Sequence, residues 1–364
     1  METPTVKLRP LGVVEILDQA IRIYRSNFWK FIAIIAVVQI PIHILNTLSS
    51  LMLVSSPIMQ NQGNPSNYTP GDSIFDMLGP GYFAGIGGTC ILAIISLLLV
   101  QGAATAALTR AVTDHYLGIK VGIVDAYRKI GPFWLRLAGA ILLAGLCSMG
   151  LMIWLLVPCA GWFTGMGMMT FFSLVLVPLI APIIVLEQQD AGRSIRRAWD
   201  LARRRFWWVI GFVALLYIFN QVIVTGPVTV ANLVIQFLTR DMLFGGDSSK
   251  ALAIQTITQS LVSMTFTLIY LPLQSISMTL LYFDLRVRTE GFDLALQAEG
   301  MQSEPIEIIE IVAHAPMPET TPLVTGTEMG YFVLLSIGAG IVFFALAAVG
   351  AGAGFLSAFG AMGP

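Results

Sequence analysis

Charged side chains are scarce in this chain of 364 residues, because only 11% of them are Asp, Glu, Lys or Arg while 56% are hydrophobic. The mean hydropathy of +0.80 places the chain outside the soluble globular class. The 20 basic and 21 acidic residues nearly cancel, so net charge does not favour a nucleic acid as partner. These properties predict an integral membrane protein.

Cysteine and histidine are rare as well. The cysteines Cys90, Cys147 and Cys159 lie in apolar runs and form no CxxC pair, and the three histidines are scattered along the chain. We therefore expect no disulfide framework, no metal site and no cofactor. The sequence also lacks HExxH, GxSxG and a phosphate-binding glycine loop. Because no nucleophile, base and orienting group are grouped by the sequence, we expect no catalytic residues and no enzyme activity.

Long stretches of the chain carry no charge at all. These stretches are residues 31–71, 77–109, 137–186, 206–239, 251–283 and 329–364. A membrane-spanning helix needs about 20 apolar residues, because its backbone amides must pair within the helix. The stretch 137–186 is long enough for two spans, which a break at 158–161 separates. The sequence therefore predicts seven transmembrane helices, at about 31–54, 82–108, 134–157, 163–186, 207–236, 252–283 and 330–357.

The orientation follows from the basic residues between the predicted spans. Alternate segments contain 18 and 2 of the 20 Lys and Arg residues, and basic residues are retained on the cytoplasmic side. This asymmetry predicts a cytoplasmic N-terminus and, with seven spans, a C-terminus outside.

Three amphipathic segments, near residues 11–27, 119–131 and 191–205, precede the first, third and fifth predicted spans. Each segment leads into a Phe-Trp pair, and these pairs begin at Phe28, Phe133 and Phe206. Apolar residues recur at helical spacing on one face, which predicts interfacial helices in the headgroup plane. Their likeness predicts three tandem units, each an interfacial helix and a transmembrane hairpin. The alternative is that any helix entering a membrane from a basic loop has arginines and aromatic residues.

The predicted fold class is an all-α integral membrane protein, and the chain is divided into three parts. Residues 1–294 form a predicted six-helix membrane domain with the three interfacial helices. Residues 295–328, rich in acids and proline, form a predicted cytoplasmic linker. Residues 329–364 add the C-terminal transmembrane helix.

Two groups of residues are candidate sites. The first is a cluster of arginines that could bind lipid headgroups, although topology and general attraction to anionic lipid explain such a cluster as well. Its members are Arg193, Arg196, Arg197, Arg203, Arg204 and Arg205. The second group could line a polar cavity inside the membrane, although hydrogen bonding between helices explains such residues without a ligand. Its members are His43, Asn220, Gln221 and Gln274.

Several motifs resemble one family of bacterial multi-pass proteins. These motifs are Leu8-Arg9-Pro10-Leu11, Ser194-Ile-Arg-Arg-Ala-Trp199 and Leu281-Tyr-Phe-Asp-Leu-Arg-Val-Arg288. They are similar to the membrane domain of glycerophosphoryl diester phosphodiesterase. The resemblance implies a bundle of about six helices in a prokaryotic plasma (inner) membrane. It does not imply phosphodiesterase activity, because in that family the reaction belongs to a separate soluble domain.

These patterns favour a non-enzymatic accessory or structural subunit that assembles with other membrane proteins, or with itself, and with anionic phospholipid. Charge-free spans and small-residue helix faces are the basis for this expectation. The alternative is a carrier or channel for a lipid or small amphipathic molecule, held between kinked helices near Asn220, Gln221 and Gln274.

Overall fold

The structure, a computed structural model, describes residues 10–54, 74–116, 122–158, 160–240, 242, 248–292 and 324–361. These residues are helical with short turns, and they contain no strand. The α-helices are α1 (Val13–Ser26), α2 (Phe28–Val54), α3 (Ile74–Ser96), α4 (Thr105–Tyr116), α5 (Ile123–Ile130), α6 (Trp134–Leu155), α7 (Met166–Phe171), α8 (Val177–Glu187), α9 (Ala191–Arg203), α10 (Phe206–Asn220), α11 (Gly226–Leu238), α12 (Ser248–Glu290) and α13 (Gly326–Ala361). Four π-helical segments interrupt or extend them, at Leu97–Ala104, Gly161–Gly165, Phe172–Leu176 and Gln221–Thr225, and a 3-10 turn at Gly131–Phe133 joins α5 to α6.

Six helical stretches in the described part of the chain are long and apolar enough to cross a membrane. In chain order, the first to sixth spans are Phe28–Val54, Gly85–His115, Ile123–Leu155, Gly161–Glu187, Phe206–Leu238 and Lys250–Glu290. The third stretch begins with the short helix α5, and its long apolar helix is α6. The outer faces of the spans expose large apolar side chains such as Trp29, Leu135 and Phe237, as lipid contact requires. The prediction of an all-helical, multi-pass membrane protein is confirmed.

The seventh span stays a prediction, as does the orientation. Helix α13 occupies the predicted place, but it is not among the six candidate spans of the described residues. Residues 295–323 of the predicted linker lie outside the described residues. Its last three residues, 326–328, belong to α13, which begins at Gly326.

Helix α12 is longer than the charge-free stretch predicts. The sequence places the end of the sixth span near residue 283, whereas α12 continues to Glu290. The extra turns contain Asp284, Arg286 and Arg288, all of which form ion pairs. Because these charges are paired within the protein, the helix does not have to end where the charges begin.

The three amphipathic helices are α1, α5 and α9, and together they define what we call the charged end of the bundle. The sequence predicts that their apolar faces lie in lipid, but the structure packs them against protein. In α1, Ile16 and Ala20 are fully buried, and in α9, Ala198, Leu201 and Ala202 are buried in the same hydrophobic core. Apolar periodicity alone does not distinguish lipid contact from burial in protein, because lipid and a protein core select the same side chains.

Each amphipathic helix lies against the end of an even-numbered span. Helix α5 packs on α4, α9 packs on α8, and α1 packs on α12. The first two contacts join neighbours in the chain, but the contact of α1 with α12 joins opposite ends of the six-span bundle. The packing therefore closes into a ring at the charged end.

Helix α13 packs on the outside of this ring through an aromatic cluster. Phe332 lies 5.8 Å from Phe171 and 5.7 Å from Phe206, measured between ring centroids. The Gly167 N–H donates a hydrogen bond of 2.6 Å to Ser336 Oγ. A Cβ at Gly167 would collide with the Phe332 carbonyl oxygen, so this close approach requires glycine.

Candidate functional site

A cavity of about 500 Å³ lies among the second to sixth spans. Its wall is mostly apolar, with side chains such as Leu97, Ile141 and Leu216, and it also contains three amides, Gln101, Asn220 and Gln274. A volume of this size is within the range of pockets that bind small organic molecules.

The amides of the cavity lie deep along their helices. At about 1.5 Å per residue, Gln101 lies about 20 Å along its helix from Asp114, and Gln274 about 15 Å from Asp284. Asn220 lies about 21 Å from Phe206, where the fifth span begins. Because the hydrocarbon core is about 30 Å thick, the three amides are near its middle.

Among the described residues, no hydrogen bond partner is found for the side-chain amides of Gln101, Asn220 and Gln274. All three side chains are half-buried. An amide offers both donors and an acceptor, and leaving these groups unpaired in hydrocarbon is costly. The arrangement is therefore suited to a molecule that supplies hydrogen-bonding groups at this depth.

Several hydroxyl groups of the cavity wall differ from the amides, because they already have hydrogen-bond partners within the protein. Ser148 Oγ donates to the Ala144 carbonyl at 3.0 Å, and Ser275 Oγ donates to the Leu271 carbonyl at 3.0 Å. The Tyr270 hydroxyl donates to the Leu216 carbonyl at 2.7 Å. Polar capacity for a ligand therefore resides in the three amides and in the hydroxyls of Ser173 and Tyr217, for which no hydrogen bond is found among the described residues.

Irregular helix surrounds the cavity. The π-helical segments Leu97–Ala104 and Phe172–Leu176 both contribute lining residues, and Asn220 immediately precedes a third, Gln221–Thr225. Pro178 and Pro182 also line the cavity, and each removes a backbone donor from the fourth span. Single π-turns widen a helix and are frequent at functional sites, so these distortions of three spans meet at one place.

The structure separates the four residues of the predicted polar cavity. Asn220 and Gln274 line it, whereas Gln221 and His43 are not among its lining residues. Gln221 Oε1 instead accepts a hydrogen bond of 2.8 Å from Thr225 Oγ1. Gln101 completes the set, and nothing in the sequence distinguishes it from the other amides in charge-free stretches.

A buried charge network lies between the cavity and the charged end. It consists of Glu187, Arg197, Tyr282, Arg286 and Glu290. The Arg197 guanidinium lies 3.0 Å from Glu187 Oε2 and 2.5 Å from Glu290 Oε1. The Tyr282 hydroxyl donates to Glu187 Oε1 at 2.7 Å, and Arg286 Nε lies 3.2 Å from Glu290 Oε2. Two arginines thus balance two carboxylates at the junction of α8, α9 and α12.

The contacts of the network favour the charged form of the Arg197 guanidinium. Burial alone would lower the pKa of Arg197, but the hydrogen bond that its guanidinium donates to Glu290 and the charge of Glu187 outweigh it and raise that pKa above its ordinary value. The Arg286 guanidinium also lies over the Phe292 ring, 4.3 Å from its centroid. These contacts compensate the cost of placing charges in a dry environment.

The predicted arginine cluster is divided between protein and surface. Arg197 belongs to the charge network, Arg196 Nε lies 3.2 Å from Asp200, and Arg203 lies 3.3 Å from Asp200 and 3.8 Å from Glu328 of α13. The side chains at the surface are Arg193, Arg204 and Arg205, and of these Arg204 donates to the Thr289 carbonyl at 3.5 Å. Contact with lipid headgroups stays a prediction.

A buried acid recurs at the charged end of every even-numbered span. Asp114 Oδ2 accepts from Lys129 Nζ of α5 at 2.8 Å. Glu187 binds Arg197 of α9. Asp284 accepts from the Leu11 N–H, just before α1, at 2.7 Å. Each acid therefore anchors the amphipathic helix that packs on its span, a pattern that no local sequence signal indicates.

Within the described part of the chain, no group of three or more His, Cys, Asp or Glu residues is arranged to hold a metal ion. Cys90 and Cys147 are free thiols at the surface of their helices.

One family model matches residues 151–340, more than half of the chain, and it describes the membrane domain of glycerophosphoryl diester phosphodiesterase. The resemblance inferred from the motifs is thereby confirmed. No curated protein and no solved structure matches the chain significantly. The matched region includes Asn220, Gln274 and the whole charge network.

Proposed function

We propose that this chain, which belongs to the glycerophosphoryl diester phosphodiesterase membrane-domain family, is a carrier that binds an amphipathic molecule within the bilayer. The observation that carries the proposal is the cavity of about 500 Å³. Its wall is apolar except for a few polar groups, and three of these are amides without partners. Binding sites for small molecules have this composition, because apolar surface supplies affinity and a few polar groups supply orientation.

The irregular helices beside the cavity support the proposal that the protein can open and close this site as well as bind a molecule in it. A carrier must open and close its site, and helices with π-turns and prolines bend at fixed places. The Leu97–Ala104 and Phe172–Leu176 segments put such places beside the cavity. The charge network, by contrast, ties α8, α9 and α12 together, so motion would be concentrated at the cavity and not at the charged end.

We also infer that the protein acts without catalysis. The polar groups at the cavity are amides, hydroxyls and phenols, and an amide neither takes up nor releases a proton near neutral pH. No residue of the charge network is among those that line the cavity.

The proposed setting is a prokaryotic plasma membrane, with the charged end in the cytoplasm and three tandem units followed by a seventh span. The asymmetry of basic residues supports this orientation. The contact of α1 with α12 and the three anchoring acids support the tandem units. Arg193 and Arg205 are exposed at the charged end, and we propose that they attract anionic phospholipid, at about 1 kcal/mol per residue.

An accessory role beside another membrane protein is the second candidate. It is favoured by Gly326 and Gly330 of α13, which lie one helical turn apart and where an added Cβ would meet open space. Such a face allows close approach of a helix from another subunit. Native mass spectrometry after extraction in mild detergent tests this role, and a strictly monomeric particle without a partner would contradict it.

The carrier proposal is tested by native mass spectrometry of the protein released from nanodiscs of its host lipid. We expect one retained small molecule per chain. The double variant Asn220→Leu with Gln274→Leu should lose it, because two of the three orienting amides are removed. Gln236→Leu is the matched control, since Gln236 is an exposed amide of the same fifth span. Equal retention by all three proteins would contradict a site in the cavity.

Transport is tested separately in liposomes that contain the purified protein. A fluorescent analogue of the retained molecule should move between leaflets faster than in protein-free liposomes, and the double variant should lower this rate. Equal rates with and without protein would contradict the carrier function while leaving the binding site intact.

A further inference from the structure

We infer that the cavity accepts an uncharged amphipathic molecule, with one acyl chain and a small headgroup of hydroxyl or ester groups, and excludes phosphate-bearing lipids. This inference rests on the proposed function, because it names the class of molecule that the same cavity would hold. A monoacylglycerol is the simplest lipid of this class.

The first argument is the charge of the wall. The lining residues that the structure describes include no Lys, Arg, His, Asp or Glu. A phosphate buried among them would lose its hydration without gaining a cationic partner. A hydroxyl or ester carries no such cost if it finds a hydrogen bond.

The second argument is that the arginines of the charge network are occupied elsewhere. Arg286 lies about 18 Å along α12 from Gln274, and its guanidinium contacts Glu290 and the Tyr282 hydroxyl. Arg197 binds Glu187 and Glu290. A phosphate at the depth of the amides would therefore be remote from these cations, and it would have to compete with carboxylates that already bind them.

The third argument is the match of polar groups. The amides of Gln101, Asn220 and Gln274 each present donors and an acceptor, and the Tyr217 side chain also lines the cavity. A diol or ester offers donors and acceptors in turn, so it can satisfy amides whichever way they are oriented. The apolar remainder of the cavity, with residues such as Leu97 and Ile141, suits a single acyl chain.

The test compares two lipids that differ only in the presence of a phosphate group. Purified full-length protein in detergent is titrated with 1-oleoylglycerol and, in parallel, with 1-oleoyl lysophosphatidic acid, which has the same chain and a phosphate added. Native mass spectrometry measures the bound fraction of each. We expect saturable binding of 1-oleoylglycerol at one molecule per chain and at least tenfold weaker binding of the phosphate-bearing lipid.

Single substitutions test whether 1-oleoylglycerol binds in the cavity. Gln274→Leu should weaken the binding of 1-oleoylglycerol by about tenfold, because an acceptor and its donors are lost together. Gln236→Leu should leave it unchanged. If Gln274→Leu does not fold, Gln101→Leu serves as the second variant with the same expectation.

The outcomes separate the inference from the proposal on which it rests. Equal or tighter binding of lysophosphatidic acid, abolished by Gln274→Leu, would overturn the uncharged class and leave the carrier proposal standing. Binding of neither lipid, in a protein that also retains no molecule from its host membrane, would overturn both. Binding of 1-oleoylglycerol that Gln274→Leu and Gln236→Leu leave equal would overturn the placement in this cavity.

Discussion

Glu187 ends α8 with a side chain that is completely shielded from solvent. It accepts hydrogen bonds from the Arg197 guanidinium and from the Tyr282 hydroxyl. A buried carboxylate with two such donors is well compensated, but if it were removed the Tyr282 hydroxyl would lose its acceptor and Arg197 would keep only Glu290. Removing Glu187 should therefore cost more free energy of unfolding than its ion pair with Arg197 contributes, because buried donors would lose their acceptor.

Replacing Glu187 with Ala should destabilise the protein by about 3–5 kcal/mol, because Arg197 would become a buried charge without its full set of partners. Denaturant titration in detergent micelles measures the effect. The matched control is Asp18→Ala, which removes an ion pair with Arg22 at the surface and should cost no more than about 1 kcal/mol. Similar losses for the two variants would mean that the charge network does not stabilise the bundle.

At the residue scale, the sequence indicates amides that lie in apolar runs. Of the four residues predicted for a polar cavity, Asn220 and Gln274 line the observed cavity, whereas His43 and Gln221 do not. Sequence reasoning missed the partners of the arginines, because Glu187 and Glu290 lie beyond the charge-free stretches and look like ordinary loop charges. Their pairing with Arg197 depends on how α8, α9 and α12 pack together. The spacing of residues along the sequence does not indicate this packing.

At the element scale, Gly167 controls how closely α13 approaches the fourth span. The change Gly167→Ala should destabilise the packing by about 1–3 kcal/mol, because its Cβ would collide with the Phe332 carbonyl oxygen. Hydrogen exchange should then be faster in α13 near Ser336. Gly150→Ala is the control, since an added Cβ there meets no atom within 4 Å. Unchanged exchange in the first variant would contradict a tight glycine contact.

The amphipathic helices show what periodicity can and cannot predict. The three predicted segments contain α1, α5 and α9, so helical spacing locates such elements. The same spacing cannot distinguish a lipid interface from a protein core, and in α9 the residues Ala198 and Leu201 turned out to be buried in protein.

Because α9 is held by protein packing, its protection from hydrogen exchange should not depend on lipid charge. We expect equal protection of residues 193–205 in nanodiscs with and without anionic lipid. The change Leu201→Ser should abolish protection, since Leu201 is buried in the core, while Arg193→Gln together with Arg205→Gln should not alter it. Protection that appears only with anionic lipid would show that headgroups hold the helix.

At the scale of the whole molecule, the six spans were predictable because hydrocarbon imposes one strong rule on sequence: no unpaired charge over about 20 residues. The closure of the ring was not predictable in this way. The contact of α1 with α12 includes the bond from the Leu11 N–H to Asp284, which joins residues from opposite ends of the membrane domain. Only the folded arrangement brings these two groups together.

The orientation can be tested with single cysteines in a protein whose Cys90, Cys147 and Cys159 are replaced by serine. A membrane-impermeant maleimide applied to intact cells should label Lys250→Cys but not Gly192→Cys, because the basic residues place α9 in the cytoplasm. Gly192→Cys should become reactive after permeabilisation. The reverse labelling pattern would show that the bundle has the opposite orientation in the membrane.

The central claim is that the cavity among the second to sixth spans holds an amphipathic molecule, and a density map of the protein in nanodiscs of its host lipid tests it most directly. The account predicts elongated non-protein density in the cavity, with a polar end about 3 Å from the amides of Gln101, Asn220 and Gln274. A map in which the cavity is closed, with these amides bonded to neighbouring helices and no density between them, would contradict the account.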